Sequence, residues 1–303
     1  MARDWEATFS TWYQRASDAE QTRYENTCKA ISDALRGTSG LSAYSMDVYA
    51  KGSYPAFTNV VRDSDVDIAA ELTTFFDNRF VRDAEGLTIE DVGVTPYTGD
   101  ATLAGFKDDV EQALIAAFGT SAVIRGKKAI HIRESSRSLK ADVVPCVTTK
   151  TWVSRYSSRT GIKLRNDSNP AEHILNYPKQ HLTEGTEKND ATSRRYKRVV
   201  RILKRLENEM VDGGVIGVVP SFLIESAVYN VPNDHLSADT WCDRVEGALR
   251  YIYNGTKTDD CVNSEDWLEV NRCKYLFSGG QSWTHETGNN FALQAWRYVG
   301  LGS

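Results

Sequence analysis

Apolar residues recur along the first forty positions at helical spacing. Ser17-Asp18 can cap a segment whose apolar residues Tyr24, Cys28, Ile31 and Leu35 share one face before Gly37 and Gly40 stop it. The pattern then switches to alternation. Tyr44, Met46, Val48 and Ala50 fall on one face of a predicted strand over 44–50, followed at once by Gly52-Ser53. A short turn or helix leads to a second strand over 66–72, and 95–100 reads as a loop. Leu103, Phe106, Val110, Leu114 and Ala117 mark a helix ending at Gly119, with strands expected over 122–125, 129–133 and 139–147.

From Pro170 onward the period is helical, with helices predicted over 170–182, 190–210, 219–230, 239–253 and 286–299. A β-rich first half and a helical second half predict an α/β protein of two lobes with a cleft between them. The junction is placed near residue 160, giving segments 1–160 and 161–303. No internal repeat or low-complexity tract is visible.

Composition narrows the function. The 303 residues carry 36 Lys and Arg against 41 Asp and Glu, for a net charge of −5, which argues against a general duplex nucleic-acid binder. No apolar run approaches the roughly 20 residues of a membrane helix. Met1-Ala2-Arg3-Asp4-Trp5 has no apolar core, so no secretory signal is expected. Cys28, Cys146, Cys242, Cys261 and Cys273 are odd in number and lack zinc-knuckle spacing, which reads as reduced thiols in the cytoplasm. His131, His173, His181, His235 and His285 are too dispersed for a zinc site.

Chemistry concentrates in two places. The first is Lys51-Gly52-Ser53-Tyr54, then Asp65-Val66-Asp67, with eleven residues between Ser53 and Asp65. On a strand, residues i and i+2 share a face, so Asp65 and Asp67 present two carboxylates side by side, a donor set suited to Mg²⁺ and substrate phosphates. Gly52 and Ser53 supply a turn where backbone N–H groups and a hydroxyl can approach a triphosphate. The second place is Asp142, the one acid within the apolar run Ala141-Asp142-Val143-Val144-Pro145. A buried lone carboxylate there is disfavoured. Its partner is either a cation such as Lys140 or Arg137, or the same metal pair.

A glycine-serine turn, a D-x-D strand and a later strand aspartate resemble the polymerase-β nucleotidyltransferase superfamily. Gly52-Ser53-Tyr54, Thr58, Arg62-Asp63-Ser64-Asp65-Val66-Asp67-Ile68 and Ala141-Asp142-Val143-Val144-Pro145-Cys146 narrow this to the cGAS/DncV-like nucleotidyltransferases (CD-NTases). Asn176-Tyr177-Pro178-Lys179-Gln180-His181, Lys188-Asn189 and the run from Tyr196 to Lys204 resemble the CdnE clade most.

The resemblance implies a mixed, mostly antiparallel sheet with an N-terminal spine helix and a helical C-terminal lobe. It implies 3′-OH attack on the α-phosphorus of a nucleoside triphosphate (ATP, GTP or UTP) with release of pyrophosphate. Repetition of that step closes a cyclic di- or oligonucleotide. Two Mg²⁺ ions (or Mn²⁺) on Asp65, Asp67 and Asp142 are implied, as is a cytoplasmic monomer in anti-phage (CBASS) signalling whose product drives a downstream effector. Transfer to another acceptor (an antibiotic, a protein or an RNA end) and a nucleotide-sensing pseudoenzyme are the alternatives.

Binding residues follow from helix geometry and the resemblance together. Seven of the twelve residues from Arg194 to Arg205 are Lys or Arg, while Val199, Ile202, Leu203 and Leu206 form the buried stripe. Lys197 and Lys204 flank that stripe and are expected at the triphosphate, with Arg194, Arg198 and Arg205 in solvent. Ser221 either caps its helix or touches the donor phosphates. For the bases, Tyr54, Tyr156 and Tyr177 offer aromatic faces, and Asn166 and Asn176 offer amides that can match uracil or adenine. In the resembling clade an asparagine in place of a small hydroxyl residue goes with pyrimidine use.

Overall fold

The computed structural model describes residues 3–60, 65–257 and 266–301. Cys261 and the Arg62-Asp63-Ser64 part of the motif lie outside the described residues.

The chain opens with helix α1 (Trp5–Trp12), capped by the Asp4 carboxylate, and α2 (Asp18–Gly37), capped by the Ser17 hydroxyl. Strand β1 (Met46–Lys51) leads through the four-residue helix α3 (Ser53–Ala56) to β2 (Val66–Phe80). Helix α4 (Leu103–Phe118) ends at Gly119, whose φ of 84° suits a residue without Cβ. Then follow β3 (Val123–Arg125), β4 (Ile130–Ile132), β5 (Ala141–Ser154), β6 (Ser157–Leu164) and β7 (Ile174–Asn176). The remaining helices are α5 (Pro178–Ala191), α6 (Tyr196–Asp212), α7 (Ser221–Asn230), α8 (Asn233–Leu236), α9 (Trp241–Gly255) and α10 (His285–Val299).

The chain divides into two compact units, each assembled from separated segments. One comprises residues 17–55 and 64–179; the other comprises 1–16, 56–63 and 180–303. A single boundary near 160 therefore does not describe the division, because β6 and β7 continue the sheet past that point.

In the first unit the described strands form one seven-stranded mixed sheet, ordered β1-β2-β5-β4-β3, with β6 on the second half of β5 and β7 on β6. Only β2 and β5 run parallel. Their connection contains α4, β3 and β4, the kind of crossover that parallel neighbours require. Ile31 and Leu35 of α2 and Phe106, Val110 and Leu114 of α4 bury the sheet face that carries Val66, Ile68, Ala141 and Val143. The predicted helix over 170–182 is replaced by β7 and a later start at Pro178, whose fixed φ suits the first turn of α5.

In the helical unit, Val199, Ile202, Leu203 and Leu206 of α6 are fully buried, as their spacing predicts, among residues of α7, α9 and α10. The first helix belongs here. Phe9 is fully buried in this core, and the Glu6 carboxylate accepts the N–H groups of Trp241 (2.9 Å) and Cys242 (2.8 Å) at the start of α9. An acid on the exposed N–H groups of a first turn satisfies donors that have no partner within the helix. No described helix is long and apolar enough to cross a membrane.

Candidate active site

The strand register builds the site. Lys51 pairs with Asp67, Asp67 with Asp142, and Asp142 with His131, so four charged or polar residues form one row across β1, β2, β5 and β4. Their neighbours Val66, Ile68, Ala141 and Val143 face the helices, and strand alternation puts the row on the opposite face. Adjacent strands lie about 4.8 Å apart, so the two carboxylates repel and call for positive partners. One has a lysine beside it and the other an imidazole. Lys51 Nζ lies 3.2 Å from Asp67 Oδ1, and His131 Nδ1 lies 2.6 Å from Asp142 Oδ1.

Asp65 stands one residue before β2, with the same parity as Asp67, and meets Lys140 Nζ at 2.7 Å. That hydrogen bond raises the Lys140 ammonium above its ordinary pKa. The side chain that meets Asp142 is thus His131, and not the Lys140 or Arg137 that the sequence offered as the alternative to a metal pair. Lys51 and His131 were missed by sequence reasoning. The Ile130-His131-Ile132 alternation does mark a polar side chain facing away from the core, but the pairing that brings it to Asp142 has no sequence signal.

Gly52 shapes the approach to the row. Its φ is +76°, and a Cβ there would come within 2.5 Å of Asp67 Oδ2. The turn thus brings its backbone closer to that oxygen than a residue with a Cβ could come, and Ser53 opens α3 directly beside it. Among the described residues no three acid, imidazole or thiol groups converge as a ready-made metal cage. The donor set nevertheless fits hard divalent cations, with carboxylates on adjacent strands, one of them against the glycine turn, and no sulfur ligand. Helix α2 braces the entry to β5. Arg23 donates to the carbonyls of Ser135 (3.1 Å) and Ser138 (3.0 Å), and Thr27 Oγ1 accepts Leu139 N–H at 2.9 Å. Two rows along the acid face, the buried carboxylate of Glu71 accepts the hydroxyls of Tyr49 (2.7 Å) and Thr148 (2.6 Å).

The expected base contacts separate. Tyr54 is buried, stacked on Tyr24 with ring centroids 4.8 Å apart, and its hydroxyl donates to Glu20 at 3.0 Å. Both faces of its chemistry are used in fixing α3 to α2, so it is no free stacking surface, contrary to expectation. Tyr156 is 91 % exposed at the β5–β6 turn. It stands beyond Ser154, roughly 40 Å of strand from Asp142 at ~3.3 Å per residue. Tyr177 is buried, with its hydroxyl 3.2 Å from Thr151 Oγ1. Asn176 pairs with Ile162, which pairs with Thr148, well along β5 from Asp142. Asn166 follows Leu164, the β6 residue opposite Cys146, where β6 runs back toward the acid end of β5. Its amide donates to Glu172 (2.6 Å) and accepts Ser168 N–H (3.0 Å).

In the helical unit the two expected lysines differ. Lys204 Nζ is buried, 2.9 Å from Glu225 Oε2 and 3.2 Å from the Thr58 carbonyl. Glu225 also accepts Thr58 Oγ1 (2.7 Å) and meets His181 Nε2 (2.7 Å). Burial opposes its charge, but Lys204 and His181 outweigh that and hold its carboxyl far below the usual range. Lys204 is therefore committed to a buried ion pair and is withdrawn as a phosphate ligand. Among the described residues Lys197 has no carboxylate at ion-pair distance; its Nζ lies 3.3 Å from Thr186 Oγ1, and burial lowers its pKa. Arg201 is buried too, donating to the carbonyls of Tyr13 (2.7 Å) and Phe57. Burial brings its guanidinium down to about 9. Ser221 is the exposed first residue of α7, and the cap position belongs to Pro220, so Ser221 does not cap the helix.

Comparison with known proteins agrees with this geometry. Residues 183–300 match the cGAS/DncV-like nucleotidyltransferase C-terminal helical domain. A cyclic dipyrimidine nucleotide synthase CdnE from Cecembia lonarensis is 36 % identical over 307 residues, with 99 % of each chain covered. A cyclic dipurine nucleotide synthase from Elizabethkingia meningoseptica is 34 % identical over 297 residues, covering 95 % of this chain and 96 % of its own. The structure of Rhodothermus marinus CdnE c-UMP-AMP synthase with Apcpp and Upnpp superposes with a TM-score of 0.83 at 27 % identity, over 98 % of this chain and 97 % of that one. With full-length similarity to such enzymes and a carboxylate row on the matching fold, the chain belongs to the cGAS/DncV-like nucleotidyltransferases, in the company of the CdnE cyclic nucleotide synthases.

Proposed function

We propose that this protein joins nucleoside triphosphates into a cyclic dinucleotide or short cyclic oligonucleotide. The observation that carries the reading is the register of Asp67 against Asp142 on parallel strands beside the Gly52-Ser53 turn. In each step a 3′-oxygen bonds to an α-phosphorus, the bond from that phosphorus to the bridging β-phosphate oxygen breaks, and pyrophosphate leaves. Asp65, Asp67 and Asp142 would hold two Mg²⁺ ions, or Mn²⁺. Bound there, the ions would supply Lewis acidity and neutralise charge on the attacking and leaving oxygens. The glycine turn admits the phosphates, with Ser53, Ser221 and Lys197 as their further donors.

Base choice differs between relatives of nearly equal identity, one named for pyrimidines and one for purines. Asn166, which follows β6 where that strand runs back toward the acid end of β5, is the amide we assign to base reading, with UTP accepted beside purine nucleotides. Asn176 lies further along the sheet and is the second position. The protein is assigned to the bacterial cytoplasm as a monomer in anti-phage (CBASS) signalling, its effector reached through the product.

The test is incubation with labelled ATP, GTP, CTP and UTP and Mg²⁺ or Mn²⁺, followed by phosphatase and nuclease. Phosphatase-resistant cyclic product, absent from Asp67→Asn and Asp142→Asn proteins that melt like the wild type, is expected. Exclusively linear products, or product from either variant at the wild-type rate, would overturn the reading.

A further inference from the structure

His131 stands at one end of the carboxylate row and belongs to no expected ligand set. Its Nδ1 lies 2.6 Å from Asp142 Oδ1, and the two residues are direct register partners on β4 and β5. A carboxylate only accepts, so Nδ1 carries the hydrogen and the other ring nitrogen, Nε2, is left without it in the neutral ring. The ring is also held from behind. A Cβ on Gly126 would come within 2.4 Å of His131 Nε2 and 2.9 Å of Cδ2, so the imidazole occupies the space that any larger residue at 126 would claim. Gly126 closes the β3–β4 turn, its N–H donating to the Ala129 carbonyl at 2.8 Å. At the other end of the row Lys51 engages Asp67 through Oδ1 alone, and Asp67 Oδ2 faces Gly52. Each carboxylate thus has one oxygen, Oδ1, tied to a side-chain donor.

We propose that His131, wedged by Gly126, is a positioning residue that fixes the rotation of the Asp142 carboxylate and thereby its affinity for a divalent cation. The proposal rests on the reading of Asp67 and Asp142 as metal ligands. A carboxylate free to turn about its Cβ–Cγ bond loses orientational freedom on binding an ion, whereas one already hydrogen-bonded has lost it beforehand. Partners of this kind typically change metal affinity by about 10- to 100-fold. Of the donors on the row, His131 is suited to the task because a flat ring confined against backbone sets direction, while the flexible Lys51 stem supplies charge.

The experiment measures Mn²⁺ binding by electron paramagnetic resonance in the presence of a non-hydrolysable ATP analogue. His131→Ala is expected to weaken Mn²⁺ binding about 10-fold or more. His131→Asn, whose amide nitrogen takes the place of Nδ1, should recover most of that loss, and Gly126→Ala should weaken binding with His131 still present. Thermal melts identify variants that fail to fold. Mn²⁺ affinity in folded His131→Ala equal to wild type, or no difference between the Asn and Ala variants, would overturn the proposal. Asp67→Asn separates the two readings. If it binds Mn²⁺ like the wild type, the carboxylates are not the metal site at all; if it loses Mn²⁺ while His131→Ala retains it, only the role of His131 fails.

Discussion

Lys204 Nζ lies 2.9 Å from Glu225 Oε2, with both side chains under 5 % exposed, and the same oxygen accepts the Thr58 hydroxyl at 2.7 Å. Removing one partner of such a pair strands a buried charge and costs about 3–5 kcal/mol. Lys204→Ala should therefore lower stability in denaturant melts by that amount, and Glu225→Gln should do likewise. A Lys204→Met, Glu225→Leu double variant should recover part of the loss. The pH dependence has a definite sign. The folded carboxyl titrates below its unfolded value of about 4.3, so its contribution is complete above that pH and drains away as pH falls toward the depressed folded value. Glu225→Gln should flatten the acid limb of the stability profile.

Gly52→Ala tests the turn. A φ of +76° costs an alanine about 1–2 kcal/mol. The added methyl would also meet Asp67 Oδ2 at 2.5 Å. The expected outcome is a melting temperature lowered by a few degrees together with loss of product, since the strain is local but the displaced atom belongs to the acid row. A melt shift with full activity would mean that the turn does not matter to the reaction.

Lys197 and Arg198 are neighbours on α6 with different surroundings. Lys197 is buried with its Nζ 3.3 Å from Thr186 Oγ1, whereas Arg198 is half-buried over the Tyr13 ring at 5.1 Å. Lys197→Ala should weaken nucleoside triphosphate binding by about 1–3 kcal/mol, the scale of a charge-assisted hydrogen bond. Arg198→Ala should change it little. Isothermal titration of both variants gives the comparison, and equal losses would mean a diffuse basic field.

Asn166→Ser and Asn176→Ser separate the two amides. Incorporation of all four labelled nucleotides should shift from pyrimidine toward purine in the Asn166 variant and stay unchanged in the Asn176 variant. The reverse result would move base reading to β7.

Much of this was legible from local signals. Ser17 caps α2 where capping chemistry puts it, and the parity of Asp65 and Asp67 about Val66 marks a two-carboxylate face. What pairs with that face was not legible, because strand order and register are set by the whole sheet. Nothing near His131 announces Asp142, and Lys140, two residues before Asp142 in sequence, turns to Asp65 instead. The same limit misplaced Lys204. Helical period locates its flank on α6, but whether solvent, phosphate or Glu225 lies opposite depends on α7. Strand β6 escaped notice because Ser157–Leu164 is polar over its first half, with buried residues gathered near its end.

The helical unit draws on three stretches of chain, and two of them come early: Phe9 and Glu6 near the beginning, and Thr58 in the short segment 56–63. Their partners, Trp241, Cys242 and Glu225, emerge from the ribosome much later. During synthesis the first helix and the Thr58 segment must wait, unsatisfied, for most of the polypeptide to appear. This unit cannot be completed domain by domain, and no cut of the gene at one point yields it whole. Long-range closure of this kind slows folding. Interrupted translation would consequently leave Phe9 and the aromatic residues of α1 exposed, and truncated chains should be drawn to chaperones before any active enzyme exists.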